Sequence, residues 1–191
     1  EMLQIQNDNK IPLVFTDSYS SMRQIINVGI DDFKGGSLAA AHLAGLGHRQ
    51  FAFIGPSSQE NGVIRHRYEG FCLGLKDLGI PSEAITAYTS DTEEHMAMAL
   101  EDIRRRHGEL TAIFAASDVI AANLIQDLHH AGFQIPGDYS IMGFDNQPIG
   151  RFLTPQLTTI SQDVHRKAEL AVEILFRHIK DAGAPAENIV L

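Results

Sequence analysis

The run Ala112-Ile113-Phe114-Ala115-Ala116, followed at once by Ser117-Asp118, decides the fold. An apolar stretch without polar alternation suits a strand covered on both faces, which is how parallel sheets flanked by helices are built. The abrupt change to Ser-Asp marks the strand exit. Outward from this run, short stretches rich in Val, Ile and Phe at 11–16, 25–30, 51–55, 85–89 and 139–144 alternate with helical patterns at 36–46, 65–78, 92–107, 118–131 and 165–181. Strand and helix in alternation predict an α/β fold with parallel sheets and crossover helices.

The helices are punctuated mainly at their ends. Gly47, Gly79, Gly108, Gly132 and Gly183 each follow a helical pattern, where a left-handed terminal residue costs glycine nothing. Pro81, Pro136 and Pro185 come shortly after three of them. Within 65–78, Tyr68, Phe71, Cys72 and Leu75 fall on one face while Arg67, Glu69, Lys76 and Asp77 can face water, the pattern of an amphipathic helix lying on a sheet.

Composition narrows the function classes. The 191 residues are 44% hydrophobic and 20% charged, enough for one large domain or two small lobes. A formal net charge of -9 with only 15 Lys and Arg is the wrong balance for a surface that neutralises many phosphates. Cys72 is the single cysteine, so no internal disulfide forms, and its apolar neighbours Phe71 and Leu73 favour burial. No apolar run approaches the roughly 20 residues that span a bilayer. The polar, acidic start at 1–10 lacks the pattern of a secretory signal, and a cytoplasmic location is expected.

Catalytic and cofactor signatures are missing: there is no Gly-x-Ser-x-Gly elbow, phosphate loop, His-Glu-x-x-His pair or paired-cysteine motif. No metal and no cofactor are expected. His129 and His130 are helix neighbours pointing about 100° apart, which suits solvation better than a shared metal. The run Arg104-Arg105-Arg106 closes a helix, where cations favour the dipole.

Polar residues at strand exits are more informative: Asp17, Asp31, Ser117 with Asp118, and Asp145 with Asn146. In a parallel sheet they gather along one edge, where carboxylates can accept hydroxyl hydrogen bonds and an arginine fork can donate them. Each could equally cap a helix or start a turn. The irregular segments 56–64 and 145–157 follow strands directly, where ligands of open α/β sheets bind.

An ordered series of segments resembles the lactose-repressor/galactose-repressor family of bacterial transcription regulators. The series includes Val28-Gly29-Ile30-Asp31 with Gly35-Gly36, Leu46-Gly47-His48-Arg49, Ile54-Gly55-Pro56, and Arg67 ahead of Gly70-Phe71. It continues through Ala112-Ile113-Phe114-Ala115 with Ser117-Asp118, Ala131-Gly132 with Ile135-Pro136, residues 141–145, and Leu157-Thr158-Thr159-Ile160. The resemblance covers 11–191. It implies a periplasmic-binding-protein-like α/β fold, with two parallel-sheet lobes and an interlobe ligand cleft. Residues 1–32 would belong to the N-terminal lobe, 33–161 to the C-terminal lobe, 162–184 to a helix returning to the N-terminal lobe and 185–191 to a crossover. The family's DNA-binding headpiece is not visible in this chain.

By the same resemblance Arg67, Asp145, Gln162, Ser117 and Asp17 are effector-binding residues. The family's aromatic platform falls near Asp91, a departure for which Tyr88, Phe144 or Phe152 could substitute. Asn61 and Val63 occupy positions that can also touch ligand. The implied function is an effector-sensing, dimerising domain, not an enzyme. Its partners would be a sugar or related metabolite, a second copy of the chain, and operator DNA through the headpiece. The alternative is an extracytoplasmic sugar-binding protein of a transport system. An enzyme using His66, Asp118 and Asp145 as an acid-base set ranks last, because no nucleophile or cofactor loop accompanies them.

Overall fold

The computed structural model describes residues 11–18, 25–57, 62–181 and 183–191. Contacts divide the chain into two units, one of residues 1–31, 61–63 and 162–191, the other of residues 32–60 and 64–161.

The larger unit holds a parallel five-stranded sheet in the order β4-β3-β5-β6-β7, with β3 at Phe51–Gly55, β4 at Ile85–Thr89, β5 at Ala112–Ala115, β6 at Ser140–Asp145 and β7 at Thr158–Ser161. Its helices are α1 (Asp32–Gly45), α2 (Val63–Asp77), α3 (Glu93–Arg105) and α4 (Asp118–His130). Register explains the core. Phe53 pairs with Phe114 and Phe114 with Met142, so one face of the sheet carries a row of large apolar side chains. Phe71 of α2 enters it with its ring centroid 5.1 Å from that of Phe114. The opposite face, through Ala52, Ile54, Ile113, Ala115 and Ile141, packs on Ala99 and Ile103 of α3 and Ala121, Leu124, Ile125 and Leu128 of α4. Both faces are therefore covered, as the uninterrupted apolar run of β5 requires.

Helices α1 and α2 touch backbone to backbone. A methyl group at Gly70 would lie 1.9 Å from the Phe33 carbonyl oxygen, so only glycine admits this approach.

The smaller unit is a parallel three-stranded sheet in the order β1-β2-β8, formed by Val14–Thr16, Ile26–Gly29 and Asn188–Val190. Helix α5 (Val164–Lys180) packs Ile174, Leu170 and Ala171 on Ile26, Val28, Val14 and Ile189.

Two strands go beyond the sequence reading. Thr158–Ser161 is an edge strand on β6, and Asn188–Val190, expected as a crossover, pairs in parallel with β2. Helix α1 begins at Asp32 rather than near Gly36. Gly47, Gly79, Gly108 and Gly132 all have positive φ, the left-handed ends that the punctuation predicted. Helix α5 ends differently, with Asp181 extended at φ -135°.

Candidate functional site

In the larger sheet the chain order reverses beside β3, with β4 on one side and β5 on the other. The carboxyl ends of strands at such a reversal form a crevice. β5 leaves the sheet there through Ala116, and Ser117 caps α4 by accepting the Ile120 N–H at 3.4 Å.

Arg67, on the first turns of α2, reaches this point and is only 5% exposed. Its Nη1 donates to the Ala116 carbonyl at 2.6 Å, its Nε donates to Asp32 Oδ1 at 2.8 Å, and its guanidinium carbon lies 3.7 Å from the Phe144 ring centroid. Nη1 also lies 3.3 Å from Asp145 Oδ1. A buried guanidinium is tolerable only when paired and hydrogen-bonded, and here a carbonyl, two carboxylates and an aromatic face meet that need.

Asp145 ends β6 with φ +106°, and Asn146 follows with φ +54°. Together with Asp17 at φ +53° they are the positive-φ non-glycine residues among those described. Such conformations cost about 1 to 3 kcal/mol each and concentrate at ligand sites. Three tethers hold the turn. Asn146 N–H donates to Thr159 Oγ1 at 3.3 Å and its side-chain amide to Ser161 Oγ at 3.1 Å. Gln147 N–H donates to Asp118 Oδ2 at 2.6 Å. The Thr159 hydroxyl donates to Asp118 Oδ1 at 2.5 Å. Burial raises the Asp118 carboxyl above its ordinary range, while the Thr159 and Gln147 hydrogen bonds and the Arg67 charge pull it back. Asp118 is thus a clamp on the Asp145 turn.

In the smaller unit Asp17 and Gln162 come together through Lys167, whose ammonium donates to Asp17 Oδ2 at 2.6 Å and Gln162 Oε1 at 2.9 Å. Asp17 Oδ1 is buried without a hydrogen-bond partner among the described residues. It borders a polar hollow of about 150 Å³ that Asn27 and Asn188 also line.

The candidates therefore fall into two groups, Arg67, Asp145 and Ser117 in one unit and Asp17 and Gln162 in the other. Asp32 and Lys167, which hold the two groups in place, were not among the candidates. Asp32 carried a weak signal, as a second acid immediately after the strand-exit Asp31. Lys167 carried none, since a lysine on an amphipathic helix reads as a solvated stem. Of the substitute aromatics, Phe144 is fully buried under Arg67, while Phe152 is 84% exposed. The Tyr88 hydroxyl is engaged by Asp102 at 2.7 Å, and burial together with Asp102 pushes its pKa up to about 12. Asp91 accepts the Ser57 N–H at 2.9 Å, and Asn61 lies outside the described residues.

Among the described residues no group of three or more His, Cys, Asp or Glu could hold a metal ion. Two residues of the arginine run are engaged locally. Arg105 pairs with Asp102, and Arg106 bonds Thr86 at 2.5 Å and Glu109 at 2.8 Å.

The periplasmic binding protein-like domain family matches residues 40–191. The HTH-type transcriptional repressor PurR of Actinobacillus pleuropneumoniae is 32% identical over 181 residues, covering 94% of this chain and 54% of that protein. The chain thus spans about half the length of the curated relatives it matches. A LacI family transcriptional regulator from Enterococcus faecium with bound ribose superposes with a TM-score of 0.88 at 28% identity, over 100% of this chain and 70% of that one. A second, from Enterococcus faecalis V583 and also with bound ribose, gives 0.86 at 30%, over 100% and 68%.

Proposed function

Since the chain belongs to the periplasmic binding protein-like family, as a core of the lactose-repressor/galactose-repressor (LacI) type, we propose that it is the effector-sensing, dimerising part of a DNA-binding transcriptional regulator. The effector is a sugar or related metabolite. The smaller unit is part of that family's N-terminal lobe and the larger one its C-terminal lobe. The protein acts in the cytoplasm as a homodimer, with operator DNA bound through a headpiece, and it catalyses no reaction. No described helix is long and apolar enough to cross a membrane. The transport alternative loses ground because the relatives and ribose-bound neighbours are named as transcriptional regulators.

The observation that carries this reading is the meeting of Arg67 and Asp145 at the carboxyl edge of the larger sheet. Asp145, whose Oδ2 also accepts from Gln147 Nε2 at 3.3 Å, keeps its side chain 18% exposed, and its carboxylate is the acceptor we assign to sugar hydroxyls. Arg67, pinned from behind, presents a fixed donor. Ser117 in the same unit, and Asp17 and Gln162 in the other, are further effector contacts. A bound effector shifts DNA affinity only by as much as it prefers one arrangement of the protein over another, commonly about 1 to 3 kcal/mol.

Calorimetry against a panel of aldopentoses, ketopentoses and disaccharides tests this. Binding by the wild type, with affinity lowered about tenfold or more by Asp145→Asn, is expected. Binding that ignores both Asp145→Asn and Arg67→Lys removes these residues from the site.

A further inference from the structure

Resting on the effector site proposed above, we infer that Lys167 is a positioning residue of that site, which sets effector affinity by fixing Asp17 and Gln162 as one preformed pair. Lys167, Leu170, Ala171 and Ile174 share one face of α5 at helical spacing, the face that packs on the smaller sheet. The first of these positions is a lysine where the pattern calls for an apolar side chain. A lysine at the margin of a core ordinarily lays its stem on the apolar surface and keeps its ammonium in water. Lys167 does otherwise. Its side chain is only 10% exposed, and its ammonium ends on Asp17 Oδ2 at 2.6 Å and Gln162 Oε1 at 2.9 Å.

Stability does not account for this placement. Desolvation of a buried ion pair offsets most of its attraction, and apolar side chains of similar volume often hold a fold as well or better. The effect of Lys167 is on geometry. Asp17 stands in left-handed backbone at φ +53°, and its Oδ1 is buried without a hydrogen-bond partner among the described residues. Lys167 is the cation paired with this carboxylate, and without it the carboxylate is better solvated by turning out to water.

Gln162 is the residue with which the chain enters the smaller unit. The helix after it is firmly capped, since Asp163 accepts the Arg166 N–H at 2.9 Å. Helical side chains lean toward the N-terminus, so Lys167 reaches back over this cap to Gln162. An ammonium only donates, so it selects the amide oxygen and turns the amide nitrogen away. A carboxylate acceptor and an amide donor are thereby fixed before a ligand arrives, and binding does not have to order them.

Calorimetric and thermal-shift titrations of the full-length protein with D-ribose, D-xylulose and cellobiose test this. Lys167→Met keeps the volume of the stem and removes the ammonium, and Lys167→Gln is a second removal that stays polar. Each should weaken binding of whichever probe the wild type takes by about tenfold or more, and Lys167→Arg, which keeps the charge, should recover part of the loss. Asp17→Asn should cost about tenfold in the wild-type background but less than about threefold once Lys167 is Met, because the carboxylate is then already displaced. The double variant Lys167→Met/Asp17→Asn should nevertheless melt at or above the wild-type midpoint. A lysine with a structural role alone gives a lowered midpoint in the double variant and independent losses of affinity, and that result overturns the inference. Wild-type affinity in folded Lys167→Met or Lys167→Gln also overturns it, while leaving the effector reading in place. A wild type that binds none of the probes overturns the sugar-effector reading and this inference with it.

Discussion

Arg67 and Asp32 form a closed ion pair, Nε to Oδ1 at 2.8 Å with side chains only 6% and 1% exposed. Truncating Arg67 leaves the Asp32 carboxylate buried without its guanidinium, at a cost of about 3 to 5 kcal/mol. Arg67→Ala should lower the unfolding free energy read from urea titration by that amount, and Asp32→Asn in the same chain should restore part of it. Additive losses in this double-mutant cycle would show that the two side chains are uncoupled.

The Asp118 clamp predicts a pH-dependent effect. Burial raises the folded carboxyl above its unfolded value, so its contribution to stability is whole below the unfolded pKa and is lost as pH rises through the folded one. Thr159→Val deletes the hydroxyl that donates to Asp118 and accepts from Asn146, which raises the folded pKa further. The variant should lose about 1 to 3 kcal/mol near neutral pH, with a penalty that shrinks as pH falls toward the carboxylate range. Urea titrations between about pH 4.5 and 7.5 would read this, and a penalty that grew on acidification would contradict it.

Two glycines should respond in opposite directions. Gly70→Ala forces a methyl group to within 1.9 Å of the Phe33 carbonyl oxygen, and backbone cannot yield as a side-chain tip can. A loss of about 3 kcal/mol or more is expected. Gly45, in the last turn of α1, has nothing within 4 Å of an added methyl, so Gly45→Ala should be neutral or stabilise by up to about 1 kcal/mol. Paired denaturation curves check both.

Burial pushes the Cys72 thiol up, and the nearby Glu69 charge adds to the rise, against the Tyr68 hydrogen bond that lowers it. The thiolate is the reactive species. Labelling of the native protein with a disulfide reagent at neutral pH should therefore be much slower than labelling of the urea-unfolded chain. Equal rates would place the thiol in solvent.

The alternation of apolar runs and helical patterns made the parallel α/β organisation legible, because β5 needs cover on both faces and its sequence says so. The two short strands were not legible. Thr158–Ser161 is a polar edge strand and Asn188–Val190 has three residues, too few for any period to show. At the site, the strand-exit acids and Arg67 could be singled out by residue type and position. Their supports could not, since Lys167 meets Asp17 across 150 residues of sequence and local spacing carries no record of such a pairing. The backbone strain at Asp17 and Asp145 is likewise a property of the folded chain, not of either residue alone.

The most direct test of the central claim is a titration of the uniformly ¹⁵N-labelled protein with the sugar panel, following the Arg67 Nε–H resonance and the backbone amides of 143–147. A binding sugar should shift the Arg67 signal and these amides together in a saturable manner. Saturable sugar binding that leaves all of them unmoved would contradict the account.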